Sequence, residues 1–89
     1  MKIIYDSTKD EANIIKHDLS LADALRIDWS SLYAMEDTRR DYGEIRMIGY
    51  ALIGERLHCV IFTDRVNERR IISLRKANKR EVLNYVNNF

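Results

Sequence analysis

The chain has 89 residues, 46% of them hydrophobic and 33% charged, a composition that suits one globular domain over residues 1–89 and excludes wholesale disorder. A membrane span needs ~20 apolar residues, whereas the longest strongly apolar stretch, Met47–Ile53, has seven, and the N-terminus turns polar by Asp6, too soon for a signal peptide. The formal net charge of +1 is unevenly spread: residues 1–64 hold 8 Lys and Arg against 12 Asp and Glu, and residues 65–89 hold 7 against 2, so a basic third sits on an acidic body.

Lys2–Tyr5 is a short β-prone run that predicts an edge strand. Ser7 or Thr8 can cap a helix, with Asp10 or Glu11 reaching back; it runs to about His17 and buries Ala12, Ile15 and Leu19. Ser20 with Asp23 starts a second short helix, whose Leu21, Ala24 and Leu25 share a face. After Trp29 the pattern becomes extended. Leu32–Glu36 reads as a strand, residues 37–43 as a polar connection, and Ile45–Ile53 and Leu57–Thr63 as two strong strands. Gly54-Glu55 between them fits a two-residue hairpin. Asp64–Glu68 makes the next turn and Arg69–Lys76 the last strand, so an antiparallel meander is expected. Asn78 with Glu81 is a capping-box pair, and Val82, Tyr85, Val86 and Phe89 follow at helical spacing as a stripe expected to dock on the sheet.

These elements make an α+β fold. Its central strands are apolar on both faces: Ile45, Met47 and Ile53 lie on one side, Ile48, Tyr50 and Leu52 on the other. Such a sheet must be covered twice, so the second face requires the C-terminal helix or another chain.

The segment Arg75-Lys76-Ala77-Asn78-Lys79-Arg80 places four cations at a strand-to-helix junction. Lys79 and Arg80 fall in the helix's first turn, where the macrodipole disfavours positive charge, so cations and free N–H groups together point to an anion site with phosphate as the natural anion. The alternative is a solvated helix start whose cations pair with Glu44 or Asp37. On the preceding strand, Ser73 and Arg75 read as sharing a face with Ile71. Arg46 and Arg65 lie near the ends of neighbouring strands, so three guanidiniums could converge on one surface and grip phosphate oxygens. Cross-strand pairing with Glu44, Asp64 or Glu68 is the other reading.

Lys9, Asn13, Lys16 and His17 follow one side of the first helix. His17 titrates near neutrality, so it can act as acid or base, or merely favour the helix C-terminus. His58 reads as a packed residue of a core strand, and Cys59 as a small core residue. A lone cysteine forms no internal disulfide, which fits a reducing, cytoplasmic compartment. Two histidines and one cysteine show no zinc-ligand spacing, and no phosphate-loop or dinucleotide glycine pattern is present, so neither a metal nor a cofactor is expected.

Several motifs then occur in a specific order: Tyr5-Asp6 with Lys9 and Asn13; Lys16-His17; Tyr42-Gly43-Glu44-Ile45-Arg46 with Gly49; Thr63-Asp64-Arg65; Arg70-Ile71-Ile72-Ser73-Leu74-Arg75-Lys76-Ala77; and Arg80-Glu81 with Tyr85. Through nearly its whole length the chain resembles the BrnT family of bacterial toxins. It departs in having Tyr5 for the usual tryptophan, and Asp18 for the glycine after the Lys-His pair, a residue that tolerates left-handed backbone. The resemblance implies a RelE-like fold, in which two N-terminal helices and a C-terminal helix pack on an antiparallel meander. It also implies a metal-independent endoribonuclease that cleaves RNA and inhibits translation. The implied partner is a ribbon-helix-helix antitoxin, in a 2:2 complex that touches promoter DNA only through the antitoxin.

On this reading Arg46, Arg65 and Arg75 contact the phosphate and the transition state, and Glu44 or His17 moves protons. Lys16, Lys76, Lys79 and Arg80 bind flanking phosphates. The rivals are a non-catalytic RNA- or DNA-binding module using the same cations, and a scaffold subunit supporting an antitoxin's DNA binding.

Overall fold

The computed structural model describes residues 1–88, so Phe89 of the expected apolar stripe lies outside the described residues. In chain order the elements are β1 (Lys2–Tyr5), α1 (Ser7–His17), a short 3-10 helix (Leu21–Arg26), β2 (Asp28–Glu36), β3 (Met47–Ile53), β4 (Arg56–Arg65), β5 (Glu68–Lys76) and α2 (Lys79–Asn88). The strands form one sheet in the order β1-β5-β4-β3-β2. Strands β2 to β5 are the expected antiparallel meander, but β1 joins the edge of β5 in parallel, so the sheet is mixed. No hairpin ties β1 to its neighbour, and local turn signals therefore could not reveal its direction. The second expected helix is the 3-10 helix. No helix among the described residues is long and apolar enough to cross a membrane.

Helix α1 starts at Asp6, whose carboxylate accepts the Lys9 N–H at 3.1 Å, and ends at Asp18 in the left-handed region at φ 58°. The turns after β3 and β4 likewise place Gly54 (φ 60°) and Asn67 (φ 59°) in that region, which glycine and asparagine tolerate. One sheet face holds the core: Leu21, Ala24 and Ile27 pack on Ala51, Ile53, Val60, Phe62, Ile71 and Leu74. Gly49 lies beneath this layer, where an added Cβ would stand 2.7 Å from Leu32 Cδ1. Trp29 meets Phe62 edge-on at 5.9 Å, and the Arg69 guanidinium covers both rings while forking onto Asp64.

A bulge corrects the expected facing of β5. Ile61 pairs with Ser73 but Phe62 pairs with Ile71, so Ile72 is an extra residue. Ile71 and Leu74 therefore both enter the core, while Ser73 and Arg75 take the second face, opposite Ile71.

The packing of α1 also differs from its periodicity. Ile15 is 87% exposed, and the helix buries Asn13 instead. Strand β1 leaves β5 after Tyr5↔Ile71, so the rest of that β5 edge lacks a strand partner. Asn13 fills the gap: its amide donates to Leu74 O at 2.8 Å and its carbonyl accepts Leu74 N–H at 3.1 Å. A second bond to Leu19 O, at 2.8 Å, ties in the helix exit. An amide side chain here mimics one residue of a sixth strand.

Candidate functional site

Helix α2 covers only one end of the second face, and it does so with polar contacts. None of its described residues is buried, and Val82, Leu83 and Val86 remain exposed. The expected apolar stripe is therefore not what docks it. Arg75, at the end of β5, forks onto Glu81 with both Nη1 and Nη2 at 2.8 Å from the carboxylate. Tyr50 OH donates to the same carboxylate at 3.1 Å, and Tyr85 OH donates to Ser31 O at 2.6 Å. The capping box is present in full: Asn78 N–H donates to Glu81 Oε1, and Glu81 N–H to Asn78 Oδ1, each at 2.9 Å.

This arrangement changes the meaning of the basic junction. The anion expected at the start of α2 is the chain's own Glu81 carboxylate, held at a pKa of about 2, mainly by the Arg75 fork. The four cations do not form one cluster. Lys76 lies opposite His58, on the face away from Arg75. Lys79 borders a hollow of about 570 Å³ between Arg56, Ala77, Val82 and Leu83, whose wall is mostly carbon. Arg80 borders a different hollow, with Tyr50 and Asn84.

Arg75 nevertheless keeps binding capacity. Nη1 gives its N–H groups to Glu81 and Lys76 O, and one N–H of Nη2 goes to Glu81. The adjacent edge, Nε with the second Nη2 hydrogen, has no acceptor among the described residues and matches two oxygens of an oxyanion. Arg75 is also part of the environment of His17. The His17 pKa is lowered, first by burial and then by Lys16 and Arg75. A groove of about 210 Å³ runs between α1 and the bulge of β5, lined by Lys9, Asn13, Lys16, His17, Ile72 and Ser73. An imidazole of lowered pKa and two lysines therefore line one groove beside β5, with the half-free arginine fork on the same strand.

The remaining site candidates stand elsewhere. Arg75 pairs with Cys59, whereas Arg65 pairs with Glu68 at the other end of the same ladder. Six residues of strand separate the two positions along β4, about 20 Å. Glu44 pairs with Arg65 at 3.6 Å, so the carboxylate and His17 do not face one phosphate. Arg46 lies at that far end too. The bond from Asp37 N–H to Arg46 O, at 2.7 Å, extends the β2–β3 ladder by one residue, which sets Arg46 on the face opposite Met47. The three guanidiniums thus share a face without converging, a correction that follows from strand register alone.

His58 is buried with Nδ1 2.9 Å from Arg56 O, and Cys59 is buried with its thiol pKa raised by burial; neither faces the groove. No group of three or more His, Cys, Asp or Glu among the described residues could hold a metal ion. Sequence reasoning missed Glu81 as the residue that orients Arg75, because its capping role explained it already. It also missed Asn13 as an edge partner; the signal was a polar residue at the helix position facing the sheet.

A family model described as the ribonuclease toxin, BrnT, of type II toxin-antitoxin systems matches residues 5–81, a span that includes the groove, the bulge and Glu81. No curated protein matches the chain. With most of its length under that model, the chain belongs to the BrnT family of ribonuclease toxins of type II toxin–antitoxin systems, which act on RNA and are paired with an antitoxin.

Proposed function

We propose that the protein is a cytoplasmic, metal-independent endoribonuclease that inhibits translation, with its chemistry in the groove between α1 and β5. Family membership supports the substrate class, and one observation supports the placement: Lys16 and His17 line the groove beside β5, and Arg75 is near enough for its charge to act on the His17 imidazole. His17, neutral at pH 7, takes the proton from the RNA 2′-OH. The O2′ attacks phosphorus, the P–O5′ bond breaks, and the proton returns to O5′ through the imidazole or water, leaving a 2′,3′-cyclic phosphate and a 5′-hydroxyl. Arg75 neutralises the charge that grows on the phosphoryl oxygens, and Lys16 holds an adjacent phosphate. Glu81 is a positioning residue for Arg75.

The neutralising partner in this reading is a ribbon-helix-helix antitoxin, in a symmetric 2:2 complex that reaches promoter DNA through the antitoxin. Exposed Met35, Val82, Leu83 and Val86 supply apolar surface for it, and the β2–β5 meander with a closing helix supports a RelE-like organisation. The test is RNA cleavage by purified protein in excess EDTA, with His17→Ala as control. Cleavage that persists in EDTA, yields cyclic phosphate ends and is lost in the variant is the expected result. Activity restored only by magnesium or zinc, or undiminished in His17→Ala, overturns the mechanism.

A further inference from the structure

The far end of the second face carries a cluster that the cleavage mechanism leaves unused. Residues 37–46 fold around Asp37, whose carboxylate is buried. It accepts Arg39 Nε and Nη2, each at 2.8 Å, and Tyr42 OH at 3.1 Å, and these bonds hold its pKa far below the usual carboxylate range. The loop is therefore tied down. The Arg46 guanidinium carbon lies over the Tyr42 ring, 4.0 Å from its centroid. Its Nε is buried with no hydrogen-bond partner, and none of its N–H groups is accepted by a described residue. Arg40 is exposed and likewise has no carboxylate partner among the described residues. Arg39, Arg40, Tyr42 and Arg46 line a cavity of about 370 Å³.

A loop tied to Asp37 that holds two uncommitted guanidiniums, one of them over an aromatic ring, suits an anion with a flat neighbour. Asp37 is already engaged by Arg39 and Tyr42, and no carboxylate among the described residues pairs with Arg40 or Arg46. We propose that this cavity is a second phosphate subsite for single-stranded RNA, in which Arg40 and Arg46 take one phosphodiester and the Arg46–Tyr42 stack supports the adjoining base. The inference rests on the RNA-cleaving reading above and deepens it. Arg46 takes the same sheet face as Arg75 and Ser73, four strand residues along and two strands across, a diagonal of about 16 Å. At about 3.4 Å per stacked nucleotide, some five nucleotides bridge the two sites. Partly exposed Ile48 and Ile61 line the path between them. The proposal thus sets a minimum length for a tightly held substrate.

The test uses single-stranded DNA of 12 and 3 nucleotides, which lacks the 2′-OH and is not cleaved. Titrations at several salt concentrations compare wild type with Arg40→Ala and with Arg40→Ala/Arg46→Ala. The expected result is an about tenfold weaker Kd for the 12-mer in the double variant, with the salt slope reduced by about 1, and no change for the 3-mer. The single variant, at an exposed side chain, shows a smaller loss in the same direction without a folding defect. An unchanged 12-mer Kd and salt slope in both variants overturns the subsite, as does equal weakening for both lengths. Wild type that binds the 12-mer but leaves RNA intact would refute the ribonuclease reading instead, and the variant salt slopes would still decide the subsite.

Discussion

Replacing Glu81 with glutamine keeps the shape of the latch and removes its charge. In the folded protein this carboxyl titrates at about 2 instead of 4.5. At about 1.4 kcal/mol for each tenfold change in proton affinity, the upper bound is roughly 3 kcal/mol. Arg75 is a third exposed, so solvent screens part of this, and about 2 kcal/mol at pH 7 is expected. A depressed folded-state pKa stabilises above the unfolded value, so this contribution is whole above pH 4.5 and is lost as pH falls toward 2. Urea unfolding of wild type and Glu81→Gln should therefore show a gap at pH 7 that narrows across that window. Because α2 buries none of its described residues, amide exchange in α2 should quicken before the sheet does. Equal stability at pH 7, or a gap that does not change with pH, would refute the latch as the attachment of α2.

The Asn13 edge partner makes a sharp stability prediction. Asn13→Ala strands Leu74 N–H, Leu74 O and Leu19 O without partners, and should cost about 3 kcal/mol by urea unfolding; a cost below about 1 kcal/mol would mean water replaces the amide. For His17, the ring NMR titration should have its midpoint below 6.5, and the acid limb of the cleavage profile should follow it because the base must be neutral. Lys16→Gln should move that midpoint upward, and a midpoint at or above 6.5 in wild type would contradict both burial and the neighbouring cations as causes.

Short-range signals determined the local structure. The capping box at Asn78 and Glu81, the left-handed Asp18, the Gly54 hairpin and the strands around it each depend on residues a few positions apart, where backbone sterics and hydrogen bonds act directly. The order of motifs was also sufficient to indicate the family. Tertiary structure decided the rest, because long-range pairing sets it. A single bulge at Ile72 sent Ile71 into the core and left Arg75 on the second face. The early departure of β1 from β5 opened an edge that a helix asparagine closes, reversing the burial expected for α1. Strand register put Arg65 and Arg75 at opposite ends of a ladder, although a sequence with several arginines near strand ends suggests one cluster. Composition counts charges without regard to their partners. Only the folded chain shows Arg75 shared with Glu81, Arg65 paired with Glu44, and Arg46 stacked on Tyr42 with its hydrogen bonds unspent.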